Sequence, residues 1–471
     1  MLASSRGRIF FSKLLLFPVN KIYLEVRALL RIGGPLMAAQ LAQMGMGFFD
    51  TVMMGRVGPT ELAAVAIGTG LWHTLFLFAL GVLMALSPSV AHLHGAGRLV
   101  EIAPLVRQAL WLSLALGLVC FLSLRHLQGL LRVIGVESAI VPIADDYLRA
   151  LSWGMFPIFA CMTLRLFSEG ISRTRPVLLI SLLGLIVNIV ANYVLIFGRW
   201  GFPALGALGC GMATAISMWV MWVGMTILLF LDRSYRVYGL FRYWDWPRWL
   251  MLRSLLALGL PIGIGLFLET AVFATVALLL GTLGAVAAAA HQVTLNVAAM
   301  TFMIPLGLSM ATTVRVGHAM GRGDPHAARF SGWVGIGLGG LFMAVMAVLI
   351  FVNHQTIARF YTDDLDVAAV AAGLLQLAAL FQISDGLQVG ALGALRGLKD
   401  TRMPMLIVVV AYWLIAFPLA WQLGIRQGMG PTGPWIGLIV GLTVAAVLLN
   451  ARFWRFSVRL ERLNPVRQGK V

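Results

Sequence analysis

Charged residues are scarce in this sequence. Only 11% of its 471 residues are Asp, Glu, Lys or Arg, whereas 60% are hydrophobic, and the mean hydropathy is +0.92. A soluble domain carries about 25% charged residues because its surface must face water, so the composition excludes a soluble body of this size. Apolar stretches such as 71–90 and 177–197 approach or reach the length that crosses a hydrocarbon core about 30 Å thick. The composition therefore predicts a polytopic membrane protein.

Paired cysteines and common catalytic signatures are also missing. Cys120, Cys161 and Cys210 lie in apolar segments without paired spacing, which predicts small buried side chains rather than disulfides or a metal site. The sequence has no phosphate-binding G-x-x-x-x-G-K-[ST] loop, no H-E-x-x-H and no C-x-x-C. We therefore expect neither an enzyme nor a cofactor, and no ATP-driven transport by this chain alone.

Basic residues outnumber acidic ones. There are 35 Lys and Arg against 18 Asp and Glu, for a net charge of +17. They are spread over short segments between apolar stretches and form no single patch, which argues against nucleic-acid binding. With both termini in the cytoplasm, 28 basic residues fall on the cytoplasmic side and 7 on the other. Because cytoplasmic loops are enriched in Lys and Arg, this split predicts an inner-membrane protein with both termini inside.

The apolar segments predict an all-α fold, because lipid offers no hydrogen-bond partner to an open strand edge. Their lengths and spacing predict twelve transmembrane helices. The predicted spans are 28–54, 62–91, 104–124, 139–164, 177–197, 205–231, 254–281, 287–314, 331–352, 367–395, 403–422 and 433–451.

The sequence repeats itself. Pro35 corresponds to Pro261 at an offset of 226, and segments 90–97 and 316–323 match at the same offset. Two six-helix halves enter the membrane from the same side, which predicts a parallel repeat whose halves rock around a central cavity in alternating access. The predicted domains are a cytoplasmic tail (1–27), a first half (28–231), a cytoplasmic linker (232–253), a second half (254–453) and a second cytoplasmic tail (454–471).

Three acidic residues, Asp50, Glu269 and Asp385, lie well inside predicted spans. A carboxylate at the centre of a span costs about 2.5–3.5 kcal/mol on insertion scales, so its presence indicates function. No Lys or Arg lies deep in a span to pair with them, and Arg396, the nearest basic residue to Asp385 in sequence, is about 16 Å away along the helix. Such acids can load a proton, Na⁺ or an organic cation. The alternative is a neutral acid that is hydrogen-bonded within the bundle.

Two amides accompany the first of these acids. Asn188 and Asn192 share one face of the fifth span and are predicted to form a polar pocket with Asp50. The alternative is that they join helices by hydrogen bonds. In the second half, Glu269 aligns with Gln43 at the offset of 226. Since an amide serves in the sister half, packing does not require this acid, which favours a cation or proton role for Glu269.

Two further polar features are candidate substrate contacts. Gln292 follows His291 early in the eighth span, where a lone histidine is more often packed than catalytic. Asp364 lies with Asp363 and Asp366 in the loop between the ninth and tenth spans. This cluster is either a solvated acidic loop or a vestibule that attracts cations.

Six segments spread over nearly the whole chain form a specific combination. They are Gly45-Met-Gly-Phe-Phe-Asp-Thr-Val-Met-Met-Gly55, His94-Gly-Ala-Gly-Arg98, Leu268-Glu-Thr270, Ala289-Ala-His-Gln-Val293, Arg315-Val-Gly-His318 and Leu395-Arg-Gly-Leu-Lys-Asp400. Together they resemble the multidrug and toxic compound extrusion (MATE) family, in its bacterial NorM-like branch. The resemblance implies an antiporter that expels cationic, amphipathic drugs in exchange for H⁺ or Na⁺.

The resemblance also implies roles for individual residues. The ion- or proton-coupling residues are expected to be Asp50, Glu269, Asp385, Asn188 and Asn192. We further predict substrate contacts at Asp385, Glu269, Gln292 and Asp364, with Glu269 and Asp385 as the ligands if the ion is Na⁺. Carboxylates serve either ion, so the sequence leaves the coupling ion open.

The alternative function is a flippase for a lipid-linked precursor. Such a protein is expected to carry a basic cavity for a phosphate head group, whereas the deep charges here are acidic and favour cationic cargo. The expected partners are cationic drugs and dyes and the lipid bilayer, without nucleic acid, and the protein is expected to be a monomer.

Overall fold

The computed structural model describes residues 19–133, 135–243 and 245–463, and these residues form helices, turns and loops without a β-strand. We number the long helices in chain order. They are α1 Val19–Gly55, α2 Pro59–Gly95, α3 Leu99–Arg125, α4 Ile140–Ser152 with Met155–Gly170, α5 Arg175–Phe197, α6 Gly206–Leu231, α7 Trp249–Gly281, α8 Ala285–Gly321, α9 Pro325–Tyr361, α10 Leu365–Gly397, α11 Arg402–Arg426 and α12 Thr432–Leu463. The predicted all-α multi-pass fold is confirmed.

Most of these helices are apolar enough to cross a membrane. Ten satisfy length and composition, and α4, whose two parts meet at 48°, makes an eleventh. Helix α1 has 37 residues, which is long enough to span, but Gln40, Gln43 and Asp50 make it more polar than the others. The twelfth predicted span is therefore supported by the length of α1 alone. The polar residues of α1 include Asp50, a predicted site residue.

Several helices extend beyond the predicted apolar segments. Helix α1 begins at Val19 rather than 28, and α12 continues to Leu463 rather than 451. Backbone hydrogen bonding continues into the polar interface beyond the apolar run, so hydropathy alone predicts such helices too short. The tail residues 1–18 and 464–471 lie outside the described part of the chain.

The two halves approach each other closely along two helix pairs. Helix α1 packs against α8, and α2 packs against α7. A Cβ atom on Gly81 would lie 2.5 Å from the Cα atom of Gly263, and one on Gly307 would lie 2.6 Å from Cγ of Met37. Only glycine permits this backbone approach, which fixes the spacing of the halves.

The halves share their hydrophobic core at one face. We call this the N-terminal face, where α1 and α7 begin and α2 and α8 end. There, Leu255 of α7 and Ala311 of α8 belong to a core built mainly by the first half. Toward the opposite face, the cores of the described residues separate by half. One contains Val272, Trp435 and other second-half residues alone, and another contains only first-half residues around Ala144.

The predicted linker is folded against the first half. Arg107 of α3 holds it, donating from Nε to Oδ2 of Asp245 at 2.7 Å and from its terminal nitrogen to backbone carbonyls, including that of Tyr243 at 3.0 Å. Asp232 begins a short 3₁₀ turn. Its Oδ1 accepts hydrogen bonds from the hydroxyl of Ser234 at 2.6 Å and from the backbone N–H of Ser234 at 2.9 Å, and these bonds lower the pKa of the carboxyl. The linker is therefore an ordered attachment rather than a free tether.

Candidate ion and substrate site

One acidic cluster lies where α7, α10 and α11 meet in the second half. The hydroxyl of Tyr412 and the side-chain amide of Gln388 each lie 3.1 Å from Oε1 of Glu269, so both can donate to it. The same hydroxyl lies 2.9 Å from Oε1 of Gln388. Tyr412 belongs to a π-helical segment, Val410–Ala416, a local widening that often occurs at functional sites. The half-buried Glu269 is thereby held by two uncharged donors.

Asp385 lies on the same face of α10 as Gln388, three residues away. Its side chain is only 7% exposed, yet it accepts no hydrogen bond from any residue in the described ranges. Its charge interacts with that of Glu269. A buried carboxylate without a donor is costly, and a second carboxylate nearby raises that cost. A proton or a cation between the two would remove it.

A basic residue shares the cavity beside this cluster. Glu269, Arg396 and Asp400 line the same cavity, and the charges of Arg396 and Glu269 act on each other. The sequence predicted no Lys or Arg that pairs with the deep acids, and no ion pair within 4 Å joins Arg396 to Glu269 among the described residues, although the two line one cavity. Spacing along α10 separates Arg396 from Asp385, whereas Glu269 lies on α7, and α7 and the end of α10 line the same cavity.

A second acidic cluster lies in the first half. Oδ1 of Asp50 accepts a hydrogen bond from Nδ2 of Asn192 at 2.5 Å, and Asn188 lies beside the same carboxylate. Both amides are fully buried. Neither polar atom of the Asn188 amide, nor Oδ1 of Asn192, has a well-formed hydrogen bond within the described residues. These three residues are brought together as predicted, with polar atoms left over to hold a water, a proton or an ion.

Other side chains complete the first-half cluster. The hydroxyls of Tyr147 and Thr69 are 3.1 Å apart, Tyr147 is within electrostatic range of Asp50, and Thr214 lies next to Asp50. Sequence reasoning missed Tyr147 and Thr214. A hydroxyl within a long apolar span was the available signal, but it is common in helices, where it bonds to the preceding turn.

Two predicted substrate contacts lie elsewhere. Asp364 caps α10, with Oδ1 accepting from the backbone N–H groups of Asp366 at 2.9 Å and Val367 at 3.1 Å. Gln292 is exposed on α8, and no hydrogen bond in the described ranges joins it to either cluster.

No three His, Cys, Asp or Glu side chains of the described ranges converge on a metal site. A Na⁺ ion at Glu269 and Asp385 would therefore need amide, hydroxyl or water oxygens as well.

A reciprocal pair of hydrogen bonds joins the halves at the N-terminal face. Nε2 of His92 lies 2.8 Å from the carbonyl oxygen of Gly397, and Nε2 of His318 lies 2.8 Å from that of Gly170. Carbonyl oxygens only accept, so each Nε2–H donates. The internal repeat relates the two bonds, since the histidines correspond at an offset of 226 and the glycines at an offset of 227. We call them the histidine latch.

An ion pair and close packing reinforce the histidine latch. Arg315 of α8 donates from Nε to Oε1 of Glu25 of α1 at 2.9 Å. The Cα of Gly95 packs against the backbone of His318, and Gly321 packs in the corresponding way against the carbonyl of His92. The two halves are therefore closed against each other at the N-terminal face.

Comparisons with known proteins agree with this architecture. The MatE family profile matches twice, over residues 35–194 and 261–422, and the two matches begin at the repeat-related Pro35 and Pro261. The chain is 45% identical to the probable multidrug resistance protein NorM of Xanthomonas campestris pv. campestris, over 93% of this chain and 95% of that protein. It is 43% identical to the multidrug resistance protein PmpM of Pseudomonas aeruginosa, over 94% of each.

Solved structures share the fold. The crystal structure of the eukaryotic MATE transporter AtDTX14 has a TM-score of 0.86 at 21% identity, over 94% of this chain and 99% of that one. An outward-facing multidrug resistance MATE family transporter of the MOP superfamily has a TM-score of 0.86 at 21% identity, over 92% and 96%. Because the family profile matches both repeats and the two bacterial relatives align over nearly their whole length, this chain belongs to the MatE family of multi-pass membrane transporters.

Proposed function

We propose that this protein exports cationic, amphipathic drugs and dyes from the cytoplasm in exchange for H⁺ or Na⁺. Relatives that carry the name multidrug resistance protein cover most of the chain at 40–45% identity. The two buried clusters are acidic, which suits cationic cargo and a cationic coupling ion. The proposal places the coupling ion at Glu269 and Asp385 or at Asp50 with Asn188 and Asn192.

The observation that carries this proposal is the isolation of Asp385. It is 7% exposed, accepts no hydrogen bond within the described ranges and feels the like charge of Glu269. A carboxylate in that position is stabilised only when positive charge arrives. A proton, Na⁺ and a drug cation each supply this positive charge, so only one of them binds at a time. Such mutually exclusive binding is what the exchange of a drug for an ion requires.

Alternating access gives the closed N-terminal face its role. We assign this face to the cytoplasm, because the segments that end there hold 28 of the 35 basic residues. The halves meet there through the histidine latch and the pair of Glu25 with Arg315, whereas their cores are separate toward the other face. The described arrangement then corresponds to an outward-facing state, and rocking of the halves opens the cytoplasmic side.

Dye transport in inverted vesicles tests the proposal. We expect wild-type protein to accumulate an ethidium-like cation under an imposed pH or Na⁺ gradient, and Asp385→Asn to lose most of that uptake. Asp364→Asn is the matched control, since Asp364 is exposed and caps a helix. Uptake by Asp385→Asn at the wild-type rate would contradict the proposed site. Absence of gradient-driven uptake by the wild type would contradict the proposed function.

A further inference from the structure

We propose that Arg396 is a built-in counter-charge that limits the second-half cluster to one added positive charge at a time. The inference rests on the proposed function, because it concerns how Glu269 and Asp385 choose between an ion and a drug. It makes Arg396 a positioning residue: it sets the charge of the site without being a ligand.

Arg396 is placed to act on the cluster through Glu269. It is 8% exposed and lines the same cavity as Glu269, and a guanidinium stays charged under physiological conditions. Among the described residues, Arg396 forms no ion pair within 4 Å with Glu269 or any other acid. The charge of Arg396 therefore acts on Glu269, while Oε2 of Glu269, which accepts no hydrogen bond from the described residues, remains available to a cation.

The other charged groups around the cavity cancel. Asp400 lines the cavity but is paired with Arg452 at 2.7 Å, and Tyr412 enters as a neutral hydroxyl donor. The two carboxylates of the cluster and one guanidinium then leave a single negative charge. One proton, one Na⁺ or one monovalent drug cation brings the site to neutrality. A second cation would leave an uncompensated positive charge in an apolar bundle, which is strongly unfavourable.

The first half shows that the fold itself does not require an arginine here. At the repeat offset of 227, Arg396 aligns with Glu169, which is paired with Arg165 at 2.7 Å. Gln43, the counterpart of Glu269, lines a first-half cavity with the same Arg165. The first-half cavity thus combines an amide with a closed ion pair. In the second-half cavity, by contrast, Glu269 has no ion-pair partner among the described residues, and Arg396 has none either.

Equilibrium binding of a fluorescent monovalent cation to the purified full-length protein tests this limit, with Na⁺ and pH varied separately. In the wild type, the apparent dissociation constant of the dye should keep rising, without a plateau, as the concentration of H⁺ or Na⁺ increases. Arg396→Gln leaves two negative charges, so dye and ion bind together. The dye should then bind more tightly. Its apparent dissociation constant should rise with the ion concentration only until it reaches a plateau, roughly 5–150-fold above the ion-free value, which is typical of coupled sites.

Four further variants make the test specific to charge. Arg396→Lys should behave as wild type, and Arg402→Gln, which removes an exposed arginine at the start of α11, should also be unchanged. Glu269→Gln brings the empty site to neutrality, so its dye affinity should fall at least tenfold. The double variant Glu269→Gln with Arg396→Gln restores one negative charge and should regain both affinity and competition without a plateau.

The outcomes separate this inference from the proposed function. Suppose that the wild type binds dye, and that Arg396→Gln has the same dye affinity and shows ion competition without a plateau. The charge limit is then wrong, and the proposed function stands. If Arg396→Gln does not fold, wild-type affinity in Glu269→Gln would still overturn the limit. A wild type that binds no organic cation would overturn the proposed function instead.

Discussion

His318 in the second half donates a hydrogen bond from Nε2 to the carbonyl oxygen of Gly170 in the first half, at 2.8 Å. The repeat reproduces this contact in the opposite direction between His92 and Gly397. Each acceptor glycine directly follows a buried charged residue, Glu169 in one half and Arg396 in the other. The closed face and the charged interior of each half are therefore adjacent along the chain.

Removing one member of the histidine latch is expected to favour opening of the N-terminal face. A hydrogen bond contributes about 1 kcal/mol, so His318→Ala or His92→Ala should shift the open population by about fivefold. Ala311, which is fully buried and faces Gly33 across the halves, can be replaced by cysteine as a reporter for maleimide labelling. His354→Ala is the control, because the hydrogen bonds of His354 to Phe351 and Gln376 both lie within the second half. Unchanged labelling in both latch variants would rule out a gating role.

The proposed orientation predicts which side each loop faces. Cysteines introduced at Arg98 and Arg322, which lie at the N-terminal face, should react with a membrane-impermeant maleimide only in inverted vesicles. A cysteine at the exposed Asp363 should react only in intact cells, and this position avoids the helix-capping Asp364. Labelling of Arg322→Cys in intact cells would reverse the orientation.

Neutralising Asp50 is expected to abolish coupled efflux while the protein stays folded. Asp50 accepts a hydrogen bond from Asn192, and an amide at position 50 keeps polar contact but cannot exchange a proton or balance a cation. Efflux by Asp50→Asn should fall at least tenfold, measured in vesicles with equal amounts of inserted protein. The exposed Asp146 of α4 provides a matched Asp→Asn control. Wild-type efflux by Asp50→Asn would remove this residue from the coupling site.

Loss of Arg107 is expected to destabilise the protein more than its position at the edge of the membrane suggests. Arg107 and Asp245 are 9% and 17% exposed, and breaking a buried charge pair typically costs about 3–5 kcal/mol. Arg107→Ala should lower the apparent melting temperature in detergent by several degrees. Arg248→Ala, whose side chain is 60% exposed at the same Asp245, should change it little. Equal shifts in the two variants would mean that the linker is not anchored through Arg107.

The sequence alone predicted the helices well because their burial in lipid demands long apolar runs. It also identified Asp50, Asn188 and Asn192 as one pocket, since the two amides lie one turn apart and the acid is exceptional in its span. Hydropathy could not predict the true ends of α1 and α12, where helical hydrogen bonding continues into the polar interface.

The contacts between distant helices were beyond sequence reasoning. Arg396 of α10 and Glu269 of α7 line the same cavity, and the spacing of residues along either helix gives no sign of this. Tyr412 joins Glu269 from a π-helical segment, whose register differs from the regular helical period. The capping role of Asp364 is predictable from the sequence, because an aspartate directly before a helix is a common N-cap. The neighbouring acidic residues instead favoured a cation-attracting role.

The alignment of Gln43 with Glu269 has a consequence for assembly. A dimer of identical six-helix subunits would be forced by its two-fold symmetry to carry the same residue at both positions, either two acids or none. Joining the halves in one polypeptide removes that constraint, so one copy can hold a charge while its twin stays neutral. Covalent fusion therefore gives this transporter an interior that differs between its two halves, which a symmetric pair of subunits could not have.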